Sequence, residues 1–273
     1  AATPQIPGHD GGGTDTGVIE DFIGQGSRDL GKVVAYQIRA TDPLLAPSML
    51  DFANTIGTLS TLSTIDGLSI VSGRVTNFNP GSDVSNLDMR IAGRISSIKI
   101  KGSLLGNSSI SALGPNGNIG SVLIAHSLIG SITATRKIGT VTIAQNFAGA
   151  VTARSVSKIK IAGSIAGGNL DIMGNVGTLQ TGGDLGLPGE TLTIHGAISN
   201  IIVGGNINIA IVVQGKLGTL QSKGSIISGS TTNVTGVLNT LKVGGDVQAG
   251  ASVTAHLIKK KIIKGLVEGT ITP

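Results

Sequence analysis

The sequence predicts an all-β fold, a parallel β-helix or β-solenoid, and three observations lead to this prediction. A ten-residue frame recurs eight times, apolar residues alternate within each copy, and glycine supplies 43 of the 273 residues. Cysteine and tryptophan are absent, and aromatic residues make up only 2% of the chain. The core is therefore expected to consist of aliphatic side chains, without disulfides or cysteine metal sites.

The frame reads aliphatic, small, any, aliphatic, any, aliphatic, any, Gly, Ser/Asn/Asp, apolar. Its first and fourth positions are aliphatic in all eight copies, and its sixth is aliphatic except at Thr181 and Ser222. Glycine fills the eighth position in six copies, with His126 and Gln145 in the other two. The copies are 18 to 24 residues apart and begin at Ile95, Ile119, Ile138, Val156, Val176, Ile198, Leu217 and Leu238.

Each part of the frame has a structural interpretation. The fourth and sixth positions alternate as in a strand that buries one face. The glycine and the short polar residue predict a corner, because glycine reaches positive φ and the polar side chain can bond its own backbone. A second strand is expected at residues 132–134, 151–153, 170–172, 192–194 and 211–213. Stacked coils of 18–24 residues would pair these strands about 4.8 Å apart, and the absence of shorter coils favours a right-handed solenoid.

The ends of the chain depart from the frame. Residues 51–273 are predicted to form the solenoid domain, with irregular first coils near residues 56–68 and a degenerate C-terminal coil that includes Ile258, Ile263, Gly265 and Val267. Residues 1–50 are predicted to be an extended Gly/Pro-rich tail followed by an irregular N-terminal cap. A short helix is expected at residues 47–55, and only lysines and Pro273 guard the C-terminal edge.

No constellation of catalytic, cofactor-binding or metal-binding residues emerges from the sequence. Asp184 and Asp246 share the ninth position but lie three coils apart, about 14 Å at the usual strand spacing, so we interpret them as corner residues. The four histidines, His9, His126, His195 and His256, occupy unlike frame positions without metal-ligand spacing. The segment Asp10 to Asp15 faintly resembles a calcium loop, and a flexible tail is the preferred interpretation. The prediction is therefore a non-enzymatic protein without a cofactor.

The charge balance and the outward positions bear on partners. The net charge is +5, and Lys259, Lys260, Lys261 and Lys264 form the one dense basic run, interpreted as a solvated edge. With so few aromatic rings, no nucleic-acid partner is expected. The uncharged residues 191–215 are interrupted by asparagine and glycine, so no transmembrane segment is predicted. The outward third position is a hydroxyl-rich column, equally well explained as a solvated sheet or as an interaction face.

Two frames, ISNIIVGGNI at residues 198–207 and LNTLKVGGDV at 238–247, carry a resemblance to known repeats. They resemble the Gly-rich β-helix repeats of bacterial surface and secreted proteins, and the polymerising β-helix of bactofilins, a family that is shorter and more regular. The resemblance implies a non-enzymatic extracellular structural protein, such as a filament or surface-layer subunit. The thin C-terminal cap and the long Gly/Pro tail further lead us to expect self-association through coil edges and the N-terminal tail. The alternatives are a polysaccharide-active β-helix enzyme and an adhesin module that binds a glycan or cell surface.

The first residue adds an expectation about localisation. Ala1 stands where methionine would begin a primary translation product, as after removal of a secretory signal segment, although an expression product begins in the same way. The expected location is therefore extracellular or at the cell surface.

Overall fold

The computed structural model describes residues 18–20, 23–40, 42 and 47–273, and its regular structure is entirely β-strand. The predicted tail at residues 1–17 lies outside the described residues. The strands are β1 Val18–Glu20, β2 Ile23–Gly26, β3 Leu30–Ala35, β4 Gln37–Arg39, β5 Ser48–Thr61, β6 Ile65–Asn79, β7 Val84–Ile91, β8 Ile95–Ile100, β9 Ser109–Ala112, β10 Ile119–Ile124, β11 Ser131–Ile143, β12 Ala150–Ile161, β13 Asn169–Ile172, β14 Val176–Thr181, β15 Thr191–Ile194, β16 Ile198–Val203, β17 Ala210–Val213, β18 Leu217–Ser222, β19 Thr231–Val243, β20 Ser252–Ile263 and β21 Thr270–Thr272.

These strands pair in parallel and stack as a β-solenoid of about 12 turns, which confirms the predicted fold class. Each frame pairs with the next at the same frame position, so that Ile95 lies opposite Ile119 and Ile119 opposite Ile138. Because the register is in phase, identical frame positions form columns along the axis. The eight copies found in the sequence therefore mark eight successive coils.

Four further coils follow the same register, beginning at Leu30, Ile56, Val75 and Ile258. The prediction that the coils near residues 56–68 are irregular is wrong, because Ile56 pairs with Val75 in the ordinary way. Their corners lack the glycine of the eighth position and carry Ser63 and Ser82 instead. The sequence pattern thus misses coils whose strands are regular but whose corners differ.

The short helix expected at residues 47–55 is also wrong, since β5 runs as a strand from Ser48 to Thr61. Leu50 and Phe52 are buried while Asp51 is exposed, so side chains alternate with the period of a strand. Met49 and Leu50 pair with Ser69 and Ile70 of the next coil. The strand conformation of this segment therefore follows from its pairing with the next coil, which outweighs the helical preference suggested by its local composition.

Each coil has three sides. The first, which we call the frame sheet, contains the strand segments at frame positions one to six. The second is a single inward residue at position ten, and these residues form a ladder of isolated bridges from Val84 to Val267. The third, which we call the return sheet, contains the second strands, including β9, β13, β15 and β17. All five predicted second strands are found there.

Inside the three sides, aliphatic columns fill the core. Ile95, Ile138 and Ile198 of the first frame position are at most 1% exposed, and the tenth-position ladder is equally buried from Val84 to Leu128. The polar exceptions at the sixth position are buried as well, but each hydroxyl donates to a backbone carbonyl. Thr181 Oγ1 reaches Gly183 O at 3.0 Å and Ser222 Oγ reaches Gly205 O at 2.7 Å. The frame therefore tolerates a hydroxyl at this position because the corner offers an acceptor.

Candidate functional site

The ninth frame position forms a ladder of hydrogen bonds along the corner between the frame sheet and the bridge ladder. Asp184 Oδ1 accepts the backbone N–H of Asn206 at 2.6 Å, and Asn206 Oδ1 accepts that of Ser225 at 2.8 Å. Ser225 Oγ in turn accepts the N–H of Asp246 at 2.9 Å. The short polar side chains therefore bond the following coil, and not their own backbone as the sequence analysis supposed.

The corner glycines are required by this ladder. None of the six, Gly102, Gly163, Gly183, Gly205, Gly224 and Gly245, has positive φ, so the predicted reason for glycine is wrong. A Cβ at Gly205 would overlap Asp184 Oδ1, and one at Gly224 would overlap Asn206 Oδ1. Glycine occurs at this corner because the oxygen of the preceding coil lies where a side chain would begin.

In the two frames without glycine at the eighth position, the corner hydrogen bond is longer or is replaced by another contact. We call each hydrogen bond between successive ninth positions a rung. At the His126 corner the rung from Ser127 N–H to Ser103 Oγ lengthens to 3.4 Å. At the Gln145 corner the Ser127 hydroxyl is instead 3.4 Å from Gln145 Oε1. A side chain at the eighth position thus goes together with a rung that is long or replaced by another contact.

This ladder accounts for the two carboxylates that the sequence analysis considered for catalysis. Asp184 and Asp246 lie in one column, separated by Asn206 and Ser225, and each holds a backbone N–H with Oδ1. The structure therefore does not bring them together. The hydrogen bonds confirm the prediction that both aspartates are corner residues.

The described histidines are dispersed on the surface. His126 lies at a corner, whereas His195 and His256 share one column beside the return sheet, contrary to the expectation of unlike positions. Gln214 and Thr235 separate them, and His195 Nδ1 is 3.3 Å from Gln214 Oε1. Within the described ranges no three His, Cys, Asp or Glu side chains are grouped to hold a metal ion. His9 and the segment Asp10 to Asp15 lie outside those ranges.

The most distinctive chemical feature is the distribution of charge around the coil. Eighteen of the 20 Lys and Arg residues lie on a frame-sheet strand or within two residues of one, and all eighteen are exposed. We call this surface the basic face. Its cations are Arg28, Lys32, Arg74, Arg94, Lys99, Lys101, Arg136, Lys137, Arg154, Lys158, Lys160, Lys216, Lys223, Lys242, Lys259, Lys260, Lys261 and Lys264. Of these, only Lys261 belongs to an inward column, and it is exposed because its coil is the last of the stack.

Carboxylates are almost excluded from the same surface. Among the described acidic residues only Asp29 lies within two residues of a frame-sheet strand, and its Oδ1 accepts the N–H of Thr55. Asp88 and Asp171 lie on the return sheet, and the corner aspartates hold ladder rungs. The two cations outside the basic face, Arg39 and Arg90, pair with Glu20 and Asp88. Charge is thus segregated by side of the solenoid.

Small hydroxyl and amide side chains lie between the cations. Ser97 and Ser121 are stacked with their Oγ atoms 3.5 Å apart, and Asn200 Nδ2 is 3.4 Å from Thr178 Oγ1. These contacts are long for hydrogen bonds, so the groups keep capacity for an outside partner. The basic face therefore offers fixed rows of donors and acceptors along about 50 Å of stacked strands.

The basic face was not predicted from the sequence, because its cations are scattered along the chain. The frame places Lys99, Lys158 and Lys242 at outward positions, but only the strand register aligns Lys32 and Arg74, which lie outside the eight frames, with them. A usable indication was nevertheless present: positions one to seven of all eight frames contain no Asp or Glu. Sorting charges by frame position would have revealed the basic face.

In the part of the chain that the structure describes, no helix has the length and apolarity needed to cross a membrane. Comparison with protein-family models, with curated proteins and with solved structures finds no match for this chain.

Proposed function

We propose that the chain is a non-enzymatic extracellular structural protein, a β-solenoid scaffold that associates with further copies through the edges of its terminal coils. One observation carries the proposal: the first and last described coils expose apolar side chains at their ends. The inward residues Leu30 and Val33 of the first frame strand and Ile258 and Ile263 of the last are only partly buried, and Val267, at the tenth position of the last coil, is 51% exposed. Tenth-position residues inside the stack, such as Leu185 and Ile226, are fully buried.

The return sheet is the better candidate for the contact. Its edge strands β2 and β21 contain no charged residue, whereas the frame-sheet edge in β20 carries Lys259, Lys260 and Lys261. Lys261 pairs with Leu241, so it occupies the aliphatic column of the fourth position. An inward charge on an edge strand opposes pairing in register. We therefore assign association to the β21 edge of one copy and the β2 edge of the next.

The resemblance to Gly-rich surface repeats and to bactofilins supports the same role. Uncharged edge strands that add to one another supply backbone hydrogen bonds across the junction. The glycine corners and rung oxygens keep the coils in register, as a scaffold requires.

The test uses the outward donor of β21. Thr270 N–H is bonded inward to Ala251 O, so the N–H of Ile271 points to the open side of the strand. Electron microscopy and sedimentation at high protein concentration should show oligomers or filaments for the native chain. Ile271→Pro should give monomers because it removes that donor, and Ile271→Val should behave as the native chain. Strictly monomeric native protein at high concentration would overturn the assembly proposal.

The polysaccharide-active enzyme is the alternative activity. It predicts cleavage of an acidic polysaccharide that is abolished by changing an outward carboxylate such as Asp171. Product formation that depends on Asp171 would replace the scaffold proposal.

A further inference from the structure

We propose that the basic face binds a linear acidic polysaccharide laid along the solenoid axis. The inference is independent of self-association, since the basic face belongs to the frame sheet and the proposed junction belongs to the return sheet. The observation behind it is the concentration of eighteen exposed cations on one side, with Asp29 as the one carboxylate among the described residues there.

The cations are available to a partner. The two ion pairs found among the described residues involve Arg39 and Arg90, which lie off the basic face. Cations stacked on one face without carboxylates between them repel one another, and a polyanion relieves that repulsion. The cations occupy this one side in eight of the twelve coils, a distribution that is difficult to explain by solubility, because solubility requires no such segregation.

The geometry favours an extended ligand. Strands of the frame sheet repeat about every 4.8 Å. Cations that share a frame position, such as Lys99, Lys160 and Lys242 at the fifth, therefore lie in one column at multiples of that spacing. Lys158 and Lys160 point outward from one strand, and Arg94 extends over Gly120 of the next coil, where a Cβ would lie 3.4 Å from its guanidinium. A polymer with a regularly repeated anionic group can contact several coils at once, and its binding strengthens with each contact.

The chemistry of the surface favours a polysaccharide over a nucleic acid. Phe78 of the frame sheet is buried, and among the described residues Tyr36, at the corner after β3, is the one exposed ring beside this sheet. The face therefore lacks the series of rings on which successive bases stack. The outward columns of Ser, Thr, Asn and Gln instead provide donors and acceptors for sugar hydroxyls. No described helix is present to enter a nucleic-acid groove. Carboxylate-bearing and sulfate-bearing polysaccharides share the required chemistry.

The experiment compares two double variants with equal loss of charge. Lys158→Thr with Lys160→Gln removes two cations from the basic face and introduces residues already found at those positions in the flanking coil, Thr178 and Gln180. Arg39→Gln with Arg90→Gln removes two cations elsewhere. Binding of fluorescent polygalacturonate and dextran sulfate is measured by anisotropy in dilute protein, with neutral dextran, double-stranded DNA, poly(dT) and phosphatidylserine vesicles as further probes.

We expect at least one acidic polysaccharide to bind, with an affinity that falls as salt rises. The basic-face variant should weaken this binding by about tenfold or more at low salt, and the other variant by less than about threefold. Binding of only one polysaccharide identifies carboxylate or sulfate as the preferred group. The proposal is overturned if neither polysaccharide binds, if the two variants weaken binding equally, or if DNA, poly(dT) or vesicles bind more tightly than both polysaccharides. Circular dichroism of both variants verifies folding, and the outcome does not depend on whether copies associate.

Discussion

At the scale of single residues, the side-chain oxygens of the ninth frame position stabilise the corners of the solenoid by accepting backbone N–H groups. A corner interrupts the backbone ladder between parallel strands, and a buried or half-buried N–H without a partner destabilises the folded state. Asp, Asn and Ser at this position each supply one oxygen to the following coil. Their interchange along the column shows that the oxygen matters more than the charge.

This interpretation predicts the effect of Asp184→Ala. The substitution leaves the N–H of Asn206 without its acceptor, so the free energy of unfolding should fall by about 1–3 kcal/mol. Chemical denaturation followed by circular dichroism measures the change. Asp184→Asn should retain most of the stability, because Asn146 and Asn206 fill the same position elsewhere.

Asp171→Ala is the matched control for charge. Asp171 points outward from β13, and its loss should change the free energy of unfolding by less than about 0.5 kcal/mol. Equal destabilisation by Asp184→Ala and Asp171→Ala would show that the corner oxygen has no special role.

At the scale of the element, the coil is the unit that sequence analysis predicted well. Alternation at positions four and six located the frame strands, and the second strands were found where the apolar triplets indicated them. The function of the corner glycine was not predictable, because it depends on an oxygen about twenty residues earlier in the chain. The coils at Ile56 and Val75 carry serine in place of that glycine, so they did not match the frame and were not recognised as regular.

The basic face was harder to predict from the sequence than the coils were. Coil lengths differ, and the first interval, from Leu30 to Ile56, is longer than those between the predicted frames. A periodic search therefore cannot align Lys32 with Lys99 or Lys158. Only the paired register places Lys32 on the surface that carries Lys99 and Lys158.

The close approach at the corner predicts a strong effect of Gly205→Ala. The added Cβ would overlap Asp184 Oδ1 and displace the rung to Asn206, so we expect a loss of about 1–3 kcal/mol in the free energy of unfolding. Gly31→Ala is the control, since no described heavy atom lies within 4 Å of a Cβ built there. Thermal denaturation of both variants tests the difference, and similar midpoints would contradict the packing argument.

At the scale of the whole molecule, the segregation of charge makes the solenoid electrically asymmetric. A net charge of +5 understates the field of the basic face, because most described carboxylates lie on the other sides. The same asymmetry would keep two basic faces apart and leave the return-sheet edges free for association.

Repulsion within the basic face predicts that stability rises with salt. Increasing sodium chloride from about 0.01 M to 0.1 M shortens the screening length from about 30 Å to about 10 Å, so the unfolding midpoint should rise by a few degrees. The double variant Lys158→Thr with Lys160→Gln should respond less steeply, because part of the repulsion is already gone. A midpoint that is independent of salt in both proteins would argue against crowding of charge on this face.

The corner ladder also gives the molecule a direction. In each rung formed by a backbone N–H, the acceptor belongs to the earlier coil and the donor to the later one, from Asp83 and Ser103 through to Asp246 and Leu266. A chain that emerges from the ribosome with its N-terminal part first would find each acceptor already in place when the next coil arrives. The backbone N–H of Leu266 donates the last rung, and its side chain has no oxygen that could accept a further one. The polarity of the corner ladder therefore lets each completed coil present a side-chain acceptor to its successor.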